Sequence, residues 1–166
     1  MTKSSQPETS FVPYAAPDFA LPSSDGTVVS LTDLRGQWVV LFLYPADNTP
    51  TCTQEACDFS ASAAAFAELG VRLFGLSKDS LKSHDKFIQK CDLKMPLLAD
   101  ETTQVIDAFG AWGEKMLYGR KYLGTERSTF VIDPQGQVRQ AWRSVKIKNH
   151  VDEVLSAVRR LTSPAG

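Results

Sequence analysis

The segment Trp38–Tyr44, with sequence WVVLFLY, constrains this chain more than any other. It is an unbroken apolar run with β-branched and aromatic members, closed by Pro45, and it offers no polar face to solvent. Such a run reads as a central strand covered on both sides. Asp47-Asn48-Thr49-Pro50 then reads as a loop. From Thr51 the period changes: Ala56, Phe59, Ala63 and Phe66 recur at steps of three and four, the pattern of an amphipathic helix, with Gly70 as its C-cap. Val71–Ser77 is a second buried strand, and Ser80 to about Lys90 a second helix. Connection rules place the two long strands parallel and adjacent in one sheet.

The flanks extend this core. Asp18–Leu21 and Val28–Leu31 bracket Ser24-Asp25-Gly26, a turn signal between short strands. Leu97-Leu98-Ala99 is a short strand, followed by a helix from Glu101 to about Phe109. Residues 112–124 read as a loop or irregular hairpin. Ser128–Asp133 and Gln137–Trp142 flank Pro134-Gln135-Gly136 as a hairpin. A last amphipathic helix carries Val151, Val154, Leu155, Val158 and Leu161. The order is that of a thioredoxin-like α/β fold: a central mixed β-sheet flanked by helices, with an insertion between its halves. Residues 1–12 read as a flexible polar arm and 13–166 as a single domain.

Composition narrows the function classes. Lys and Arg number 18 against 19 Asp and Glu, so the basic excess of a nucleic-acid binder is missing. No stretch reaches the roughly 20 apolar residues of a membrane span. The first residues are polar and do not resemble a secretory signal, so a cytoplasmic location is expected. Three cysteines, Cys52, Cys57 and Cys91, make an odd set that argues against a disulfide scaffold. In a reducing compartment they are buried filler, metal ligands or reactive thiols.

Cys52 falls in the first turn of the helix that starts at Thr51, where backbone N–H groups lack helical partners and the dipole end is positive. Both effects favour a thiolate. The residue is also four positions before Ala56, on the apolar stripe, so it should face a pocket. A shielded thiolate at a helix start suits a selective nucleophile.

The residues around Cys52 carry a family resemblance. Tyr44-Pro45 followed by Asp47-Asn48-Thr49-Pro50-Thr51-Cys52 resembles the peroxiredoxin active-site pattern, in which a Thr stands three positions before the Cys. Glu55-Ala56-Cys57 resembles the version in the bacterioferritin-comigratory, or PrxQ, subfamily. Matching segments continue through Leu97–Asp100, Phe109–Lys115, Met116–Gly119 and Arg127–Phe130, so the resemblance covers about residues 14–160.

The resemblance implies a thiol peroxidase with no metal or organic cofactor. Cys52 would attack a hydroperoxide and become a sulfenic acid. Thr49 would orient the substrate, Pro45 would shield the sulfur, and Arg127 would stabilise the thiolate and the charge growing on the peroxide oxygens. Topology agrees with the last role: if the strand from Ser128 runs antiparallel to Trp38–Tyr44, Arg127 starts where that strand stops. Cys57 would be the resolving thiol. Five residues apart in a regular helix, Cys52 and Cys57 have Cα atoms about 8.6 Å apart and side chains rotated by roughly 140°. A disulfide tolerates up to about 7 Å, so the first turns of the helix must unwind for it to form. The resemblance further implies a thioredoxin- or glutaredoxin-type reductant and a monomer, because resolution needs no second chain.

Cys91 lies where some subfamily members carry their resolving thiol; with Cys57 present it is expected to be non-catalytic or a back-up. Glu55 would accept a helix N–H or reach an Arg. His84 and His150 are expected on exposed positions, which removes a Cys–His pair. Metal binding by Cys52 and Cys57 lacks two further ligands. Arg143–Lys148 reads as a solvated strand edge. A thioredoxin-like disulfide oxidoreductase would separate its cysteines by two residues, and this chain places four between Cys52 and Cys57. A redox sensor or holdase would use the same cysteines but react once rather than turn over.

Overall fold

The computed structural model describes residues 11–163; all but the last two residues of the arm expected over 1–12 lie outside them. The strands and helices follow in chain order. β1 (Tyr14–Ala15), β2 (Ala20–Pro22) and β3 (Val28–Ser30) precede a single 3-10 turn at Thr32–Leu34 and the long strand β4 (Trp38–Leu43). Then come α1 (Pro50–Ala61), α2 (Ala63–Glu68), β5 (Val71–Ser77), α3 (Leu81–Cys91), β6 (Leu97–Ala99) and α4 (Gln104–Ala108). β7 (Trp112–Leu117), β8 (Arg120–Thr125), β9 (Ser128–Ile132), β10 (Gln137–Trp142) and α5 (His150–Thr162) complete the chain.

Six strands form one mixed sheet in the order β1-β10-β9-β4-β5-β6. β4 is central, parallel to β5 and antiparallel to β9, as its covered apolar run requires. Because side chains alternate along a strand, β4 feeds two cores at once. Val39, Leu41 and Leu43 pack with Leu21, Val29, Leu34, Ile106 and Phe109 under the β2–β3 hairpin and α4. Val40, Phe42 and Tyr44 pack with Phe59, Phe66, Phe87 and Val158 under α1, α2, α3 and α5. The second core seats α1: the rings of Phe42 and Phe59 stack 9° from parallel with centroids 4.3 Å apart.

Several boundaries differ from the sequence expectation, each for a local reason. The helix expected from Thr51 to Gly70 divides at Ser62, whose N–H bonds the Phe59 carbonyl three residues back at 3.1 Å. That tighter turn re-aims the chain while Phe59 and Phe66 stay in one core, their rings 6.2 Å apart. The helix expected from Glu101 starts only at Gln104, because the Asp100 carboxylate accepts the Ile106 N–H at 2.8 Å and Thr103 turns into the left-handed region. Residues 112–125 form a regular hairpin, β7 with β8 in unbroken register, closed by Tyr118-Gly119, both with positive φ.

Gly75 shows how tightly β4, β5 and α1 are coupled. It pairs with Phe42 across the parallel ladder, and a Cβ placed on it would lie 2.7 Å from Leu97 Cδ2 and 2.8 Å from Phe42 Cζ. Neither neighbour has room to retreat in a close-packed core. Gly75→Ala is therefore expected to destabilise the protein by about 1–3 kcal/mol, the usual cost of overpacking. Equilibrium urea unfolding checks this; an unchanged midpoint would show that the Phe42–Phe59 stack can slide.

Candidate active site

The site forms where β4 ends and β9 begins. Leu43 pairs with Ser128, so Pro45 and Arg127 leave the sheet at the same end, although Arg127 is 75 residues from Cys52. Thr49, extended at φ −90° and ψ 156°, is the N-cap of α1, with Pro50 in the first turn. Proline suits that turn because its missing N–H would have had no helical partner. Cys52 thus sits in the first turn, as expected, and it is only 2% exposed.

Arg127 is the hinge of the geometry. Its Nη2 donates to Cys52 Sγ at 3.4 Å and its Nη1 to Glu55 Oε1 at 2.7 Å. The planar guanidinium fork can satisfy both at once, which a lysine cannot. Glu55 is buried beside it, so of the two roles considered for it, the one seen is the contact with an Arg. Burial raises the Glu55 carboxyl to about 7, more than the Arg127 charge and hydrogen bond lower it. Its second oxygen, Oε2, is buried without a hydrogen-bond partner, consistent with that direction.

The Thr49 hydroxyl donates to the Ala46 carbonyl at 3.4 Å, a long bond that a better acceptor can replace. Pro45 and Arg127, with Ala111, Trp112, Glu114, Glu126, Val145 and Lys146 among others, line an open groove of about 430 Å³. Cys52, Cys57 and Cys91 are all free thiols. Cys57 is half-buried on α1 and Cys91 half-buried at the end of α3.

Two histidine expectations are corrected. His84 and His150 are not exposed; both are almost wholly buried. His84 Nε2 bonds the Leu98 carbonyl at 2.9 Å and Nδ1 bonds Asp47 Oδ2 at 2.8 Å. Asp47 also accepts from the Tyr44 hydroxyl at 2.6 Å and the Ser83 hydroxyl at 2.8 Å. Burial pushes the Asp47 carboxyl up, but these bonds outweigh it and hold the group below its ordinary range. The network pins the loop between β4 and α1 onto α3. A buried carboxylate three residues before α1 and a histidine on α3 left no periodic signal, so sequence reasoning missed the pair.

His150, the first residue of α5, bonds Thr129 Oγ1 at 2.8 Å and meets the rings of Phe59 and Trp142 edge-on. Burial, then the charge of Arg127, lowers it to about 4. The basic segment after β10 is also more than a solvated edge. Val145 donates its N–H to the Arg127 carbonyl at 3.0 Å, and the Arg143 guanidinium lies 5.1 Å from the centre of the Phe130 ring.

This arrangement has known counterparts. Residues 12–141 match the AhpC/TSA family model. Peroxiredoxin Bcp of Bacillus subtilis is 44% identical over 147 residues, covering 89% of this chain and 94% of the relative. The chain belongs to the AhpC/TSA family, as a peroxiredoxin of the Bcp/PrxQ type. A solved structure of peroxiredoxin Q from Xanthomonas campestris superposes with a TM-score of 0.83 at 43% identity, over 87% of this chain and 92% of that one. A second structure from that organism, described as bearing on the alkyl peroxide reduction activity of the bacterioferritin comigratory protein, matches with a TM-score of 0.83 at 42% identity and the same coverage. These relatives support the thioredoxin-like fold of this peroxiredoxin as well as its family. Among the described residues, no helix is long and apolar enough to cross a membrane.

Two buried groups of this peroxiredoxin give opposite pH dependences. Glu55 titrates higher in the fold, from 4.5 to about 7, so its contribution is complete below pH 4.5 and is lost as pH rises through 7. His150 titrates lower, from 6.5 to about 4, so its contribution is present above pH 6.5 and is lost as pH falls through 4. Each is worth about 3 kcal/mol at most. Between pH 4.5 and 6.5 the two largely cancel. In Glu55→Gln, stability measured by urea unfolding should climb with pH across that window, and in His150→Gln it should fall. Parallel slopes in the two variants would refute the assignment.

Proposed function

We propose that this peroxiredoxin is a thiol peroxidase for hydrogen peroxide and organic hydroperoxides, with Cys52 as the attacking thiolate. The observation that carries this reading is the Arg127 Nη2 donor 3.4 Å from a buried Cys52 Sγ at the start of α1. The thiolate attacks the terminal peroxide oxygen. An S–O bond forms, the O–O bond breaks, and the alkoxide or hydroxide leaves and takes up a proton. Charge moves from sulfur to the departing oxygen, and Arg127, held by Glu55, is in place before that charge develops. Thr49 exchanges its long bond to Ala46 for the peroxide, accepting from it and donating toward sulfur. Pro45 keeps water from the thiolate. The groove mixes the charged Glu114, Lys115, Glu126 and Lys146 with Ala111, Trp112 and Val145, which leave room for an alkyl substituent, in keeping with the alkyl peroxide activity named for the Xanthomonas protein.

Cys57 then attacks the Cys52 sulfenic sulfur within the same chain, and water leaves. Their spacing in α1 requires the first turns to unwind, since a regular helix holds the Cα atoms about 8.6 Å apart. This makes the enzyme an atypical two-cysteine peroxiredoxin that works as a monomer. A thioredoxin- or glutaredoxin-type dithiol reduces the disulfide by exchange.

Thiol counting after one equivalent of hydrogen peroxide tests the scheme. Wild type should lose two thiols. Cys57→Ser should lose one and accumulate a dimedone-reactive Cys52, and Cys52→Ser should lose none on the same timescale. Equally fast oxidation of Cys52→Ser would sink the peroxidase reading. Arg127→Ala should lower kcat/KM by roughly 10²–10³, in the range for losing one charge-stabilising donor. Arg127→Lys should recover only part of that, because a point charge cannot hold Cys52 and Glu55 together.

A further inference from the structure

Cys91 has no part in the scheme above, yet its surroundings are built toward Cys57. The turn after α3 is tied onto α1: the Lys94 N–H donates to Ser60 Oγ at 2.8 Å, and Ser60 lies one helical turn from Cys57, on the same face. Nearby, Lys90 Nζ donates to Asn48 Oδ1 at 2.9 Å, joining α3 to the loop before Cys52. Both thiols are half-buried against the same apolar core. Cys57 on α1 and Cys91 at the end of α3 thus border the same α1–α3 seam while α1 is intact, and burial first, then Cys91, pushes the Cys57 thiol up from its ordinary range.

We propose that Cys91 completes a three-thiol relay, in which the Cys52–Cys57 disulfide is passed on as a Cys57–Cys91 disulfide. The relay rests on Cys57 resolving Cys52, as in the preceding section. Cys91, as thiolate, attacks Cys57 Sγ after giving its proton to solvent. The Cys57–Cys91 bond forms, the Cys52–Cys57 bond breaks, and the electron pair leaves on Cys52. Nothing is oxidised or reduced in net, so no further reactant is needed.

Two features drive the exchange forward. The Cys52–Cys57 bond is incompatible with a wound α1, whereas Cys57 and Cys91 stand on two helices packed on one core, so a bond between them leaves α1 free to rewind and rewinding favours the second disulfide. The departing Cys52 returns beside the Arg127 donor, which stands 3.4 Å away in the folded site. The consequence is an enzyme that stays oxidised while its peroxide-reactive thiol is free again. The disulfide offered to the reductant then lies on the α1–α3 seam rather than at the peroxide site.

The test uses pre-reduced full-length protein without reductant. It is treated with one and then two equivalents of hydrogen peroxide, quenched by acid alkylation and mapped by mass spectrometry. Trypsin leaves Cys52 and Cys57 together on peptide 36–72 and Cys91 on peptide 91–94, and cleavage after Glu55 separates the first two. The relay predicts a Cys57–Cys91 cross-link after one equivalent. It also predicts that wild type consumes two equivalents, the second giving a dimedone adduct at Cys52, while Cys91→Ser consumes one and stops at Cys52–Cys57. A wild-type protein that stops at Cys52–Cys57 with Cys91 alkylated would overturn the relay and leave Cys57 as resolver. A Cys52–Cys91 cross-link, persisting in Cys57→Ser, would overturn both the relay and the resolving role of Cys57.

Discussion

Everything in this structure depends on β4 being buried on both faces. Its odd-numbered side chains fill the core beneath the β2–β3 hairpin and α4, and its even-numbered ones fill the core beneath the other helices. Such a strand has to be central and has to end where the apolar run ends. At that point the backbone needs other hydrogen-bond partners, and the loop through Pro45 and Thr49 begins. The reactive end of the molecule is thus the place where the sheet can no longer bury the chain.

At that end, two kinds of support hold the chemistry. The sheet register brings Arg127 beside the start of α1 through the Leu43–Ser128 pair, and the Phe42–Phe59 stack fixes the helix itself. Below the loop, Asp47 gathers Tyr44, Ser83 and His84. Tyr44, His84 and the Asp47 carboxylate are buried and Ser83 half-buried, and all are partnered, so the loop is braced from beneath while Pro45 lines the groove. The Glu55–Arg127 ion pair has a different character. One carboxylate oxygen is paired and the other is buried without a partner. Glu55 therefore spends stability on orienting a donor, a cost that burial of an incompletely satisfied carboxylate entails.

In the proposed scheme a rigid floor and a helix that unwinds belong together. The aromatic stack secures α1 at Phe59, well past Cys52, so its first turns can come apart while the rest stays seated. Cys57 stands between those two regimes. It is near enough to the N-terminus to follow an unwinding turn, and it borders the same core as Cys91 on α3.

By itself the sequence determined the strand–helix alternation, the central place of Trp38–Tyr44, the helix-start position of Cys52 and the motif around it. These follow from periodicity, capping and local spacing, which act over a few residues. It also pointed to Arg127, but through the family resemblance, with the inferred antiparallel partner strand only in agreement. Tertiary structure decided the rest. His84 and His150 looked like surface residues, because a lone histidine in a polar stretch carries no sign of the oxygen or aromatic ring that will enclose it. Glu55 had two possible partners until the sheet delivered one. Nothing in the sequence showed that Cys91 and Cys57 border the same core. Each of these outcomes depends on groups that are remote in the chain and meet only when the two faces of β4 are covered, and a sequence read locally holds no record of which remote groups those are.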